Sequence, residues 1–286
     1  MAVVELSPVQ VAAYARCRRM LRRHDPSYYL AVTRLPPERR SAVHALYGFV
    51  RGADEIVDGS GRVLAPEQRR AALDDWESEL DRGLETGRSA HPVIAALVHA
   101  AAAQDLPLGE LRTYMASMRM DCGRLRIRTR EELDRYMNGS GASVGRIMAP
   151  ILGAPDEAER LARLGVAFQP TNFLRDVRQD YELDRIYLPA DERARLGVRD
   201  EDLAAPEASR ALRELVAGEV RRARALFAET APALAEAIPS SARGIRLAHG
   251  LYTAVLGRIE RNGFDVLGRP SRPRAVDVAR AAFRAL

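Results

Sequence analysis

The 286-residue chain predicts an all-α fold, a helical bundle around a central cavity. Three observations carry that expectation. The chain is rich in Ala, Leu and Arg, which favour helices, and poor in alternating β-branched runs. Proline repeatedly stands just ahead of apolar-periodic stretches, the position where it starts a helix without costing a hydrogen bond. Two of those stretches carry acids four residues apart, Asp54 with Asp58 and Asp176 with Asp180. A helix puts residues at that spacing on one face.

In chain order, Ser7-Pro8 supplies an N-cap and a first-turn proline for a helix running towards His24. Pro36-Pro37 launches Glu38 to Asp58, which should end at Gly59-Ser60-Gly61. Pro66 to Leu84 reads as a surface helix around Trp76. Pro92 to Gln104 is Ala-rich and should be buried, and Leu106-Pro107 opens the next helix. Thr129 and Glu132 form a capping-box pattern ahead of Leu133 to Leu152. Pro155 leads into a helix reaching Tyr181, and D-R-I-Y-L-P reads as an extended loop closed by Pro189. Glu207 to Phe264, and again the chain from Pro273, should be helical, with breaks near Pro232 and Pro239. No linker or internal repeat divides the chain, so residues 1–286 are expected to form one domain.

Four residues turn an α-helix by about 400° and advance it by roughly 6 Å, so each acid pair projects from one face. Two such helices facing each other would place four carboxylates around one cavity. Carboxylates are costly to bury unless paired or bound to metal. Hard oxygen ligands suit Mg²⁺, which keeps several waters and bridges to phosphates. The first segment, Y-G-F-V-R-G-A-D-E-I-V-D, aligns Tyr47, Arg51, Asp54 and Asp58. Its arginine can grip a phosphate bidentately, and Tyr47 offers a π-face to a cation. A solvated face with Arg51–Asp54 or Arg51–Glu55 ion pairs explains the same residues. The second segment, F-Q-P-T-N-F-L-R-D-V-R-Q-D, aligns Gln169, Asn172, Asp176 and Asp180, with Arg175 beside them. Asn172 adds a neutral oxygen, and Pro170 either kinks the helix or marks its first turn. The arginine-then-acid design occurring twice favours a metal–diphosphate site over two wet surfaces. Arg185, just beyond, fits either closure over a phosphate or an ordinary surface position. Tyr187 and Leu188 read as packing residues.

Composition excludes several chemistries. There is no lysine, so the 44 basic residues are all arginine; a Schiff-base lysine and a P-loop lysine are ruled out. The formal charge is +5, with acids and bases interspersed, and no basic stripe with interleaved aromatics marks a nucleic-acid groove. Cys17 and Cys122 are isolated, which fits a reduced cytoplasmic setting. No signal peptide is evident, and the longest apolar run, Pro92 to Ala103, is too short to span a bilayer. A soluble protein with peripheral membrane contact is the expectation.

With both acidic segments in view, the chain resembles the squalene/phytoene synthase family of head-to-head prenyl transferases. The resemblance rests on R-G-A-D-E-I-V-D, on N-F-L-R-D-V-R-Q-D followed by D-R-I-Y-L-P, and on H-D-P-S-Y-Y. R-Y-M-N-G-S-G-A-S-V-G and G-F-D-V-L-G-R add to it. It implies the isoprenoid-synthase type of bundle, with Asp54, Asp58, Asn172, Asp176 and Asp180 binding Mg²⁺, or Mn²⁺ in its place. It further implies that His24, Asp25, Pro26 and Ser27 line the diphosphate pocket. Tyr47, Arg51, Gln169, Arg175 and Tyr252 would contact substrate. Tyr28 and Tyr136 would border the hydrocarbon channel, and Arg269 would sit near the diphosphate. Pro170, Arg178-Gln179 and Asp184 depart from the common pattern beside the second metal segment.

The resemblance implies condensation of two geranylgeranyl diphosphates to phytoene, through a cyclopropyl diphosphate and without NADPH. Squalene formation from farnesyl diphosphate is the nearest rival and would need NADPH. Prenyl transfer to an aromatic acceptor and a non-catalytic helical scaffold are further alternatives. Gly139 to Gly145 would either let a helix yield space to a long chain or allow close helix packing.

Overall fold

The computed structural model describes residues 6–59 and 64–285, so the expected stop at Ser60-Gly61 lies outside the described residues. Prolines open most of the helices of the N-terminal half: α1 (Pro8–His24), α2 (Pro26–Val32), α3 (Pro37–Asp58), α4 (Pro66–Thr86) and α5 (Pro92–Gln104). The ring presets φ for the first turn, where an N–H has no partner in any case. α6 (Glu110–Met120) follows. α4 is less superficial than its charges imply. It buries Leu73 and Leu80, and Trp76 stacks on Phe49 of α3 at 5.4 Å and donates its indole N–H to the Phe49 carbonyl at 3.3 Å.

In the C-terminal half, α7 (Arg130–Met137) passes through a π-helical turn, Asn138–Ala142, into α8 (Ser143–Ile151). Thr129 accepts from the Glu132 N–H, but the Glu132 carboxylate takes the N–H of Arg128 at 2.8 Å, so the box is not reciprocal. α9 (Ala158–Glu182) carries the second acidic segment, with Pro170 buried in its interior rather than in its first turn. α10 (Ala190–Arg195), α11 (Arg210–Ala237), α12 (Ala242–Arg261) and α13 (Ala275–Arg284) complete the chain. The break expected at Pro232 is absent. α11 runs through it, because Phe227, Ala231 and Leu234 bury the surrounding turns. The break at Pro239 is real. D-R-I-Y-L-P is not a free loop: Arg185–Ile186 (β2) pairs in parallel with Leu125–Arg126 (β1).

α1, α3 and α5 pack on one another, and α9 packs against α8, α11 and α12. The α8–α9 contact is backbone on backbone. A Cβ on Gly145 would stand 2.3 Å from the Leu161 carbonyl oxygen, and one on Gly141 would stand 2.7 Å from that of Gly165. Close packing is therefore what the glycine stretch provides. It also brings α8 and α9 together as one wall of a large cavity, whose other wall is α3.

Candidate active site

The cavity has a volume of about 750 Å³ and runs along α3 and α9. On α3, Val43 and Leu46 line it first, then Tyr47, Arg51, Asp54 and Asp58. At 1.5 Å per residue, Val43 and Asp54 lie about 16 Å apart along the axis. On α9, Leu161, Leu164 and Phe168 precede Gln169, Asn172, Asp176 and Asp180. Both helices thus run from an apolar end to an acidic end of the same space. The opposite side of α3 is anchored by Phe49 and Ala53, both buried, which fixes the acid stripe towards the cavity.

Each acid pair has an arginine in contact. Arg51 bonds Asp54, and its other terminal nitrogen bonds Glu55 at 2.6 Å. Both ion pairs weighed as a surface explanation are present, yet on a cavity wall. Arg51 Nε is buried with no acceptor, a donor left available to an anion. Arg175 grips Asp176 with Nε at 2.9 and 3.1 Å and a terminal nitrogen at 2.5 Å. Gln169 donates to the Ser140 carbonyl at 3.1 Å and ties α9 to the π turn.

Arg185 joins the two helices. It is not a surface residue: only 4% of it is exposed, and it lines the cavity. Its guanidinium bonds Asp58 and donates through Nε to the Asp121 carbonyl at 3.1 Å. The Asp121 carboxylate, also buried, accepts from the Tyr136 and Tyr187 hydroxyls at 2.6 and 2.7 Å. Phe173 stacks on Tyr187 at 4.3 Å and stands 5.9 Å from Tyr136, so these rings form an aromatic wall. The acids share one field. Burial pushes Asp180 up to about 8, with Asp176, Asp121 and Asp58 adding to it against Arg185. Burial likewise pushes Asp54 up to about 6, with Arg51 opposing and Asp58 adding. Burial also raises Asp121 to about 6, against Arg185. Asp58 of α3 is among the charges that raise Asp180 of α9, so the two acid stripes lie within one another's field.

His24, Asp25, Tyr28, Tyr136 and Tyr252 also line the cavity. Asp25 caps α2 by accepting the Tyr28 N–H at 2.8 Å, and burial raises its pKa. Tyr28 and Tyr47 lie 6.3 Å apart, and Tyr252 packs on Phe168 at 4.2 Å. Three expected residues are not on the wall. Pro26 and Ser27 form the first turn of α2 outside the lining, and Arg269 is exposed away from it. Arg272 lines the cavity instead. Sequence reasoning missed Asp121, Tyr114 and Arg272 and took Tyr187 for packing alone. The one signal for Asp121 was an acid at the C-cap of α6, where the helix dipole disfavours negative charge.

Among the described residues, no three acidic, His or Cys side chains converge as placed on a point where a metal ion would sit. The donor set nevertheless fits a hard divalent cation. Asp54, Asp58, Asp176 and Asp180 with the Asn172 amide are all oxygen ligands on one cavity wall or its facing wall. Asp54 and Asp180, held above the ordinary carboxylate range by burial and then by neighbouring acids, gain most from added positive charge.

A sequence profile described as squalene/phytoene synthase matches residues 21–279. The phytoene synthase of Thermus thermophilus is 37% identical over 90% of this chain and 86% of its own. That of Arthrospira platensis is 31% identical over 90% of this chain and 87% of its own. The chain spans 66% of phytoene synthase 3, a chloroplastic protein of Zea mays, at 33% identity. In structure it is similar to squalene synthase HpnC from Alicyclobacillus acidocaldarius, with TM-score 0.79 and 28% identity over 94% of this chain and 98% of that one. A dehydrosqualene synthase shares the fold with TM-score 0.86 and 24% identity over 96% of each chain. The chain belongs to the squalene/phytoene synthase family.

Proposed function

We propose that this protein is a prenyl transferase that condenses two prenyl diphosphates head to head, with geranylgeranyl diphosphate as substrate and phytoene as product. The observation that supports this best is the polarity of the cavity: Asp54, Asp58, Asp176 and Asp180 with Arg51, Arg175 and Arg185 at one end, an apolar and aromatic trough at the other. A diphosphate with a long hydrocarbon tail has the same two-ended character. The relatives named phytoene synthase favour this reading over squalene formation, transfer to an aromatic acceptor or a scaffold role. We take residues 1–286 as one catalytic domain.

In this reading Asp54, Asp58, Asn172, Asp176 and Asp180 hold Mg²⁺, with Mn²⁺ as a substitute. The metal, when bound, supplies positive charge to the departing diphosphate. Arg51 and Arg175 bind the diphosphate oxygens, and both are positioned to exchange an aspartate partner for phosphate. The ionised tail is an allylic cation; the double bond of the second prenyl chain attacks it, and loss of a proton closes the ring of a cyclopropyl diphosphate, whose own diphosphate then leaves before rearrangement and a final proton loss give phytoene. Tyr28, Tyr47, Phe168 and Tyr252 present π-faces that stabilise such a cation. The apolar residues of α3 and α9 exclude the water that would quench it. Arg185 holds Asp58 from behind, so the acid stripe keeps its direction when substrate enters.

No helix among the described residues is long and apolar enough to cross a membrane. We place the protein in the cytoplasm with peripheral membrane contact, because a hydrocarbon product needs an apolar sink. The test is incubation with farnesyl or geranylgeranyl diphosphate, with and without Mg²⁺ and NADPH, followed by mass analysis. Phytoene is expected from geranylgeranyl diphosphate with Mg²⁺ alone, and the D54A and D176A variants should lose turnover while keeping their helicity. Absence of magnesium-dependent pyrophosphate release from either substrate would overturn the proposal.

A further inference from the structure

The arginines of this chain are not evenly paired. α1 carries Arg16, Arg18, Arg19, Arg22 and Arg23 and no acid at all. All five are exposed. Among the described residues none of them makes an ion pair or donates a side-chain hydrogen bond, whereas most cavity and interhelix arginines do both. The expectation that acids and bases are interspersed therefore fails on this helix. Its inner face is fixed. Ala13, Cys17 and Leu21 are buried in the core, and the Tyr14 hydroxyl bonds His99 of α5 at 2.8 Å.

The outer face is mixed rather than purely charged. At about 100° per residue, Val9, Arg16 and Arg23 fall on one flank and Val11 and Arg18 on the other, with Arg19 and Arg22 between them opposite Cys17. Val9 is 75% exposed, Val11 53% and the preceding Leu6 37%. Exposed apolar side chains placed before a run of unpaired arginines give the helix an apolar leading end and a cationic body. Arginine stems lie along apolar surface while their heads reach anionic groups. The helix ends at His24, which lines the cavity.

We propose that the outer face of α1 docks the protein on an anionic lipid bilayer. The charge complementarity selects the headgroups, and Leu6, Val9 and Val11 enter the boundary between headgroups and acyl chains. Nucleic acid fits this face less well. It lacks the exposed aromatics and amide side chains that stack on or read bases, and exposed valines add nothing to phosphate contact. The proposal rests on the prenyl-transferase reading for its purpose, since docking beside the cavity delivers substrate tails and removes a hydrocarbon. It does not rest on that reading for its measurement.

The test uses the full chain and vesicles without substrate. In flotation assays it should bind vesicles of equal parts phosphatidylcholine and phosphatidylglycerol, not pure phosphatidylcholine, and binding should weaken as salt rises. The R16Q/R18Q/R19Q/R22Q/R23Q variant should partition on the order of several thousandfold less, at roughly fivefold for each basic residue removed from an anionic surface. V9S/V11S should lower partitioning by about threefold or more without altering its salt dependence. Circular dichroism and pyrophosphate release from a short prenyl diphosphate in detergent should stay unchanged in both variants. Equal binding of the five-glutamine variant and the native chain would overturn the proposal, as would a preference for duplex DNA over the vesicles at equal anionic charge. A raised KM for free prenyl diphosphate with vesicle binding intact would also overturn it. An inactive native chain that still floats with anionic vesicles would defeat the enzymatic reading and leave the docking surface standing.

Discussion

Replacing Arg185 by glutamine should destabilise the protein while making it more responsive to magnesium. Arg185 is 4% exposed and is shared by Asp58 and the backbone of Asp121. Its charge also opposes the upward shift of Asp54, Asp121 and Asp180. Glutamine keeps some hydrogen bonding but leaves those acids without their common cation. Breaking a buried ion pair costs about 3–5 kcal/mol. Because the Asp58 side chain is 32% exposed, water screens part of the loss and about 3 kcal/mol is the appropriate end of that range. At about 2.1 cal/mol/K per residue, a chain of 286 residues has an unfolding entropy near 0.6 kcal/mol/K, so Tm should fall by about 5 °C. A ligand that binds only the native state stabilises in proportion to the logarithm of its saturation. The acid-rich variant site should therefore gain more from Mg²⁺ than the native one. Thermal unfolding with and without Mg²⁺ reads both effects. A fall in Tm of under about 1 °C would refute the reasoning about burial. An equal magnesium gain in both proteins would refute the idea that the four acids and Arg185 share one site.

Gly145→Ala should lower stability by about 1–2 kcal/mol in urea unfolding: the added methyl meets the Leu161 and Ala162 backbone, and overpacking outweighs the helix propensity gained. His44 is pushed down to about 4 by burial, with Arg18 and Arg40 adding. The unfolded chain takes up a proton near the ordinary histidine value, so the stability this residue contributes is whole above about pH 6.5 and lost towards pH 4, by up to about 3 kcal/mol. The difference in pH dependence between the native protein and H44Q isolates it, and identical slopes would refute the assignment. Asp180, held up to about 8, carries a proton at neutral pH that competes with a divalent cation. Turnover at low Mg²⁺ should rise with pH through about 8, and higher Mg²⁺ should move that midpoint to lower pH; a midpoint indifferent to Mg²⁺ would exclude Asp180 as a ligand.

What could be read from the sequence is what depends on local chemistry. Pro8, Pro37, Pro66 and Pro92 each became the first residue of a helix, because the preset φ acts without help from tertiary contacts. The two acid stripes were legible for the same reason: a period of four residues lies within a single helix. Pro232 was misread because its local cost is outweighed by the burial of Phe227, Ala231 and Leu234 around it. Asp121 carries no periodic partner. Its importance comes from Tyr136 on α7, 15 residues along, and from Tyr187, 66 residues along, which is carried back beside it past α7, α8 and α9 by the β1–β2 pairing. The exchange of Arg269 for Arg272 on the cavity wall is a matter of loop register, and no local rule fixes that.

The absence of lysine acquires a consequence at the acidic end of the cavity. A carboxylate cluster whose members are raised by burial and by one another changes protonation over the range where enzymes work. A lysine among them would titrate too when desolvated, so that the site would lose positive and negative charge together. Arginine does not give up its proton under these conditions. Arg51, Arg175 and Arg185 therefore remain fixed cations while only the acids exchange protons, metal or arginine partners. Substrate entry then redistributes contacts around three constant charges. Two of them, Arg51 and Arg175, lie against acids on opposite helices and can turn to phosphate; the third, Arg185, is locked behind Asp58 by its bond to the Asp121 carbonyl and cannot leave. This division, together with its being the most withdrawn from solvent of the three, explains why Arg185 should tolerate substitution least.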